Sequence, residues 1–393
     1  MIDKLQVHHL RNLHTLSMQT GVCNVIIGAN GSGKTSLLEA VFLLSRGKSF
    51  RQHQPKRYIT HGQSATTVHG SFVGGDSMAV QKLPDAQTTL RLNGQNVAVQ
   101  SRLTSRLPTL LIDPATMDML DIGSGSRRQL LDWLTFHVKP EFHAQWTAYN
   151  RLLKQRNALL RHNKLRQRKS QYLSEQDRRE LMAWDKGLAN HANMITHYRH
   201  LMFEAWQPHF VQIISQLLPK YADELRLKFY AGYDEETSLD ELLYERLTQD
   251  AQQGYTRIGA HRADVQVLLT QSVDVDSDDC TDNSTYALKN EPATHILSRG
   301  EKKLLITALK LSQLPVLLEQ SVDAVMPVVL LDDITAELDD NALQILLSTL
   351  AELSCQVFIT SLDERVLPLV KTHWQNPNLF HMKHGQLSSF LPD

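Results

Sequence analysis

The stretch Gly28-Ala29-Asn30-Gly31-Ser32-Gly33-Lys34-Thr35 decides the fold. It fits the pattern G-x-x-x-x-G-K-[ST], and that spacing has a chemical reason. Glycines let backbone N–H groups turn inward around a β-phosphate, the lysine neutralises the β- and γ-oxygens, and the hydroxyl ligates Mg2+. The four fixed positions arise by chance about once in a hundred chains of this length. The flanks sharpen the signal. The apolar run Val22–Ile27 precedes the loop as a strand would, and the amphipathic stretch Ser36–Leu44 follows it as a helix whose positive dipole end faces the anion. Gly28, Ala29, Asn30, Gly31, Ser32, Gly33, Lys34 and Thr35 are therefore expected to bind a nucleotide, with Thr35 on the metal and Lys34 in a catalytic role.

A phosphate loop alone does not separate a kinase from a GTPase or a motor. The distal half does. Val328-Val329-Leu330-Leu331-Asp332-Asp333 reads as a buried strand ending in two carboxylates, the layout of a Walker B strand. Asp332 is expected in the Mg2+ shell, and Asp333 where a carboxylate polarises an attacking water. Upstream lies Leu297-Ser298-Arg299-Gly300-Glu301-Lys302-Lys303. Ser298-x-x-Glu301 before the apolar-periodic Leu304, Leu305, Ala308 and Leu309 forms a capping box. A helix start with serine, glycine and basic neighbours also presents donors to an anion, so Arg299, Lys302 and Lys303 are assigned to nucleotide rather than to DNA. Just past Asp333 comes Ala336-Glu337-Leu338-Asp339.

The whole chain sets bounds on these readings. Its 393 residues correspond to two or three domains. Hydrophobic residues at 42% and charged residues at 21% allow a sizeable core and exclude global disorder. A net charge of −1 makes no case for nucleic acid, so only a local basic patch can. The longest apolar stretches, such as Val325–Leu331, fall short of the ~18 residues a membrane helix needs. The opening MIDKLQVHHLRN has no apolar signal core. Cys23, Cys280 and Cys355 are odd in number and scattered, which argues against a disulfide framework or a CxxC site and suits a reducing, cytoplasmic setting. The 18 histidines show no metal-binding spacing. The aspartates at 274, 276, 278, 279 and 282 lack the glycine and closing glutamate of a calcium loop and read as a solvated acidic loop.

Three regions are expected. Residues 1–135 and 255–393 read as α/β, with strands at Thr109–Ile112, Val328–Leu331 and Gln356–Thr360, and residues 136–254 read as a helical arm. In the arm, Leu181, Trp184, Leu188, Ala192, Ile195, Tyr198 and Met202 recur at steps of three and four, which puts them on one helix face. A second helix, Glu141–Lys169, would turn at Ser170–Ser174 and pack antiparallel on the first. Pro208 and Pro219 are read as punctuation after the hairpin.

In order along the chain, a phosphate loop, an LSxGE-like segment, a strand ending in two aspartates and an x-E-L-D turn resemble the ABC-type ATPase heads of the SMC class. The resemblance implies an α/β P-loop head with an inserted helical arm. It also implies an ATP-sandwiched homodimer, in which Ser298 and Gly300 of one copy close over the nucleotide of the other. The insert spans only about 120 residues, too short for a long tethering arm. A short-armed head resembles the RecF family of bacterial recombinational-repair proteins. Leu10-Arg11-Asn12 is similar to that family's F-R-N element, which adds Arg11 and Asn12 to the expected cofactor set. Arg127-Arg128-Gln129-Leu130-Leu131-Asp132-Trp133, Leu152-Leu153-Lys154-Gln155-Arg156-Asn157-Ala158 and Gly259-Ala260-His261-Arg262-Ala263-Asp264 resemble further family segments, the last with alanine where proline is usual. Asp333 replaces the glutamate of most ABC ATPases, as in RecF-like proteins. Its shorter arm implies slow hydrolysis, suited to a switch. Thr360-Ser361 stands where many ABC proteins place a switch histidine, and neither that sensor nor a lid glutamine is assigned.

Residues 151–169 carry Arg151, Lys154, Arg156, Arg161, Lys164, Arg166, Arg168 and Lys169 with no Asp or Glu. On a helix this is a basic stripe suited to phosphate contacts without sequence readout, so Lys154, Arg156 and Arg161 are the expected DNA residues. No aromatics interleave with the run, so a stacking platform for single strands is not indicated there. The resemblance further implies ATP and Mg2+ as cofactors, double-stranded and gapped or single-stranded DNA as ligand, and a role with RecO and RecR in loading RecA at gaps. Two other classes stay open. A P-loop kinase needs neither Ser298 nor a dimer, and an SMC-like scaffold binds ATP without turnover.

Overall fold

The computed structural model describes residues 1–114, 120, 123–166, 174–274, 286–321 and 325–389. It divides into two units: unit 1 is Met1–Asp118 with Arg299–Asp393, and unit 2 is Met119–Ser298. The expected arm boundaries, near 135 and 254, fall inside unit 2. The reason is that the flanking segments join unit 2: Ala260 packs with Tyr149, Leu188 and Ile195, and Asp132 holds Arg199 of the arm.

Unit 1 holds two six-stranded sheets. One is antiparallel in the order β2 (Leu13–Gln19), β1 (Ile2–Leu10), β4 (Thr66–Phe72), β5 (Ser77–Lys82), β6 (Thr88–Leu92), β7 (Gln95–Asn96). In β1, Ile2, Leu5, Val7 and Leu10 are buried, and the residues between them are partly or fully exposed, as in a sheet with one wet face. The other sheet has the order β15 (Gln386–Ser389), β14 (Asn378–Lys383), β3 (Cys23–Ile27), β13 (Gln356–Ser361), β12 (Val328–Leu331), β8 (Thr109–Ile112). It is parallel except for the β14–β15 hairpin. Every residue of β3, β8, β12 and β13 is buried, as in a sheet covered on both faces. The helix Lys34–Arg46 packs on strands of both sheets through Leu37, Leu38, Val41 and Leu44.

Parallel register aligns the C-terminal ends of these strands, where open α/β sheets place their ligands. β13 lies between β3 and β12, with Ile359 opposite Val25 and Leu331. The loop after β3 and the aspartates after β12 are therefore separated by a single strand, whose own end carries Thr360 and Ser361.

Unit 2 is built on the helices Phe142–Arg166 and Glu175–Leu217. They run antiparallel, since Gln145 reaches His191, Leu152 packs on Gly187 and Arg156 reaches Asp185. Leu181, Leu188, Ala192, Ile195 and Met202 are buried as their spacing predicts, and Trp184 and Tyr198 are half-buried. Pro208 does not end the second helix; it sits inside it. It removes one amide donor, and burial of Trp206, Phe210 and Ile214 on either side carries the helix through. A three-stranded sheet, β11 (Tyr286–Pro292), β10 (Asp264–Asp274), β9 (Leu225–Tyr230), completes the unit. Most of the acidic loop, Cys280 and the expected turn at 170–173 lie outside the described residues.

Candidate nucleotide site

The loop Gly28–Thr35 is fastened from several sides. The Gly28 amide donates to Ser361 O at 3.3 Å. A Cβ at Gly28 would stand 2.3 Å from the Met382 carbonyl oxygen, so only glycine fits against β14. Gly31 and Gly33 adopt φ of 75° and 117°, the left-handed region that a side chain strains. The Gly385 amide donates to Ser32 O at 2.7 Å, so the β14–β15 turn buttresses the loop from behind. Asn12 clamps the front: its Nδ2 donates to Gly31 O at 3.1 Å and its Oδ1 accepts from Ser36 Oγ at 3.1 Å.

A cavity of about 360 Å³ opens over this loop, lined by Arg11, Asn12, Asn30–Ser36, Arg51 and Asp333. Lys34 is buried, and its Nζ donates to the loop's own carbonyls, Gly28 O at 2.6 Å and Ala29 O at 3.1 Å. Burial pulls this ammonium below its ordinary pKa, and the Asp333 and Asp332 carboxylates pull it back. Thr35 Oγ1 donates to Asp332 Oδ1 at 3.0 Å, across 297 residues of sequence. Thr360 Oγ1 donates to the same oxygen at 2.8 Å and accepts from the Asp333 amide at 2.9 Å. Burial raises the Asp332 carboxyl, and the two threonine hydroxyls lower it. Asp333 has φ of 50°, uncommon for a residue with a Cβ. Burial raises its carboxyl while Lys34 lowers it.

Two observations test the fit of a nucleotide with Mg2+. Among the described residues, Ser32 Oγ and Asp333 Oδ1 are buried with no hydrogen-bond partner, a costly state unless something else meets them. The paired Thr35 hydroxyl and Asp332 carboxylate are the oxygen ligands a hard cation takes. The donor set fits a triphosphate and its metal.

The other expected residues fare differently. Gly28 and Ala29 lie behind the cavity and serve through their carbonyls. Arg11 reaches the cavity wall but spends its guanidinium on Glu39, with Nε to Oε2 at 2.5 Å and Nη2 to Oε1 at 2.9 Å. Ser298 and Gly300 are exposed and lie outside the cavity lining. Lys303 pairs with Glu337 of the A-E-L-D turn at 2.5 Å, which ties the helix Arg299–Leu311 to that turn rather than to the phosphate cavity.

Arg156 requires a correction. It is not a DNA contact, because its side chain is 0% exposed. Its Nε donates to Asp185 Oδ1 at 2.6 Å, and its Nη1 donates to Asp250 Oδ2 at 2.8 Å and Thr256 Oγ1 at 2.7 Å. A guanidinium so placed neutralises buried carboxylates and is out of reach of a phosphate outside. Lys154 and Arg161 are exposed, together with Arg151 and Lys164. The side chain of Arg166, and Arg168 and Lys169, lie outside the described residues. The three unit 2 motifs form a connected set of polar contacts: Arg127 grips Asp264 at 2.9 and 2.8 Å, Asp132 holds Arg199, Arg199 donates to Ala260 O, Tyr149 meets His261, and Asn157 accepts from the Thr256 amide.

Sequence reasoning missed Thr360, Arg51 and Glu39. For Thr360 the available signal was a Thr-Ser pair ending an apolar strand. Glu39 is a fully buried carboxylate in an apolar helix, and Arg51 carried no spacing signal at all.

The fold and this site define a P-loop head of the ABC/SMC type. A family profile described as the RecF/RecN/SMC N terminal domain matches residues 1–375. The DNA replication and repair protein RecF of Acinetobacter baylyi is 37% identical over 98% of this chain and 99% of its own length. Its counterpart in Acinetobacter baumannii is 38% identical over 100% and 99%. The chain belongs to the RecF family. Among solved structures, the recombination mediator protein RecF with ATP, from the RecFOR pathway, shares the fold at a TM-score of 0.78 and 23% identity, covering 99% of this chain and 97% of that one. The Smc head domain of Pyrococcus furiosus, bound to the C-terminal domain of ScpA, follows at 0.55 and 15%, covering 99% and 96%.

Proposed function

We propose that this protein is an ATP-gated, DNA-binding switch of replication and recombinational repair. The observation that carries the reading is the Thr35–Asp332 hydrogen bond, which closes a metal-ready pair between the phosphate loop and the β12 end. Gly31–Gly33 amides and Lys34 are suited to cradle the β- and γ-phosphates, Thr35 and Asp332 to hold Mg2+, and Asp333 to accept the proton of a water from its bare Oδ1. ATP with Mg2+, when bound, would supply a cleavable phosphoanhydride and negative charge at the cavity mouth. This reading assigns Ser298 and Gly300, which are exposed and not among the residues lining the cavity, to the cavity of a partner copy. Lys154 and Arg161 are the arm cations left for duplex phosphates once Arg156 is withdrawn. The named relatives support a place in DNA repair, and RecO, RecR and gapped DNA are the partners this reading assigns.

The test is equilibrium binding of a labelled duplex at several salt concentrations, with and without Mg-ATP. Wild type is expected to bind with ATP and Lys34→Ala to lose both ATP and the ATP-dependent increment. A duplex affinity indifferent to ATP, or equal for both proteins, contradicts the switch.

A further inference from the structure

Three stretches remote in sequence, 127–128, 226–230 and 255–262, meet in unit 2. On the edge strand β9, Arg226, Lys228 and Tyr230 face outward and are exposed, while Leu225 and Leu227 are buried on the opposite face and Phe229 packs against Phe203 there. Tyr230 stands opposite Asp264 in the β9–β10 register, and Asp264 is already gripped by Arg127. Arg128 feels both the Asp264 carboxylate and the Arg262 guanidinium. Gly232, two residues past Tyr230, presses against the Arg262 backbone. Two exposed rings carry their own cations: Lys228 Nζ lies 4.9 Å from the Tyr230 centroid, and Arg262 Cζ 5.7 Å from the Tyr255 centroid. The rings are 37% and 42% exposed. Glu235 turns away, pairing with His200, whose ring packs on Phe229 on the other face of the sheet.

Lysine and arginine on an edge strand block strand addition, but that purpose does not call for exposed tyrosines beside them. Arg226, Lys228 and Arg262 are exposed here, and the two carboxylates that act on the neighbouring Arg128, Asp132 and Asp264, are engaged by Arg199 and Arg127, so the surface complements a polyanion. The rings select among polyanions. Duplex bases are stacked on one another, whereas unpaired bases offer a face to an aromatic side chain, with cations taking the phosphates between. We propose that this face of unit 2, centred on Lys228, Tyr230, Tyr255 and Arg262, is a path for single-stranded DNA. The inference rests on the DNA-binding reading above and adds a second contact to it, whose Tyr255 end adjoins the duplex contact because Gly254 packs against Arg161 and Lys164.

The experiment uses the full chain and two fluorescent probes, an oligothymidylate of about 20 nucleotides and a duplex of the same length. Tyr230→Ser with Tyr255→Ser is expected to weaken the single-strand probe about tenfold or more, with duplex binding within about twofold. Tyr230→Phe with Tyr255→Phe keeps the rings and retains single-strand affinity, which separates lost stacking from lost folding. Lys228→Gln with Arg262→Gln lowers the single-strand salt slope by about 1.4, at roughly 0.7 per phosphate contact. Unchanged single-strand affinity in the serine variant, or an equal loss on both probes, overturns the proposal. Wild type that binds duplex with ATP but no single strand defeats this inference alone, whereas wild type that binds neither defeats the proposed function.

Discussion

Asp332 and Asp333 are adjacent, yet the chain gives them different work because β12 ends between them. Asp332 continues the strand and is held by Thr35 and Thr360. Asp333 turns into the left-handed region with its amide pinned by Thr360 Oγ1, and its carboxyl joins the cavity wall. One hydroxyl therefore sets both acids. Thr360→Val keeps the shape but strips a donor from Asp332 and leaves the Asp333 amide unpaired, a cost of about 1–3 kcal/mol. Mg2+-dependent nucleotide affinity, measured by titration, should fall about 5- to 100-fold, while Thr360→Ser stays near wild type. With Asp333 as the proposed proton acceptor, the pH profile of hydrolysis tests that role. A proton acceptor must be ionised, and burial lifts this carboxyl above its ordinary 3.8. The rate should therefore fall as pH drops through a value above 3.8, and an acid limb at or below it removes Asp333 from the role.

At the scale of elements, the network that locks the unit 2 helices carries its own predictions. Arg156→Ala leaves Asp185 and Asp250 buried without their cation, and should destabilise the protein by about 3–5 kcal/mol in denaturant melts. Lys154→Ala and Arg161→Ala should stay within about 0.5 kcal/mol. His261 adds a pH signature. Burial holds its pKa down at about 4, against 6.5 for an ordinary histidine. Between those values the unfolded chain binds more protons than the folded one, so this histidine's share of stability is lost as pH falls from 6.5 towards 4. The Tm gap between wild type and His261→Gln should be constant above pH 7 and narrow steadily below 6.5; a gap that widens on acidification contradicts the assignment. These same elements show what a sequence exposes. The phosphate loop and the double aspartate are legible because chemistry fixes their spacing locally. Arg156 was misread as a surface cation because its partners, Asp185 and Asp250, stand 29 and 94 residues away, and a charge count carries no partners. Thr360 is marked locally only as a Thr-Ser pair ending an apolar strand, and its contacts with Asp332 and Asp333 come from the strand order. Pro208 survives inside a helix because burial on both sides outweighs one lost amide.

For the whole molecule, the proposed switch calls on residues that do not all line one cavity. The cavity gathers most of the phosphate loop and Asp333, while the expected signature residues Ser298 and Gly300 are exposed and not among its lining residues. In the proposed function a second copy supplies Ser298 and Gly300, which would make nucleotide state and oligomeric state one variable. The most direct test is sedimentation velocity of Asp333→Asn, with and without Mg-ATP, beside the same protein carrying Ser298→Arg. The account predicts a monomer without nucleotide, a stable dimer with it, and a monomer under both conditions once Ser298 is replaced. Equal sedimentation of Asp333→Asn with and without Mg-ATP, or an ATP-induced dimer that tolerates Ser298→Arg, would contradict it.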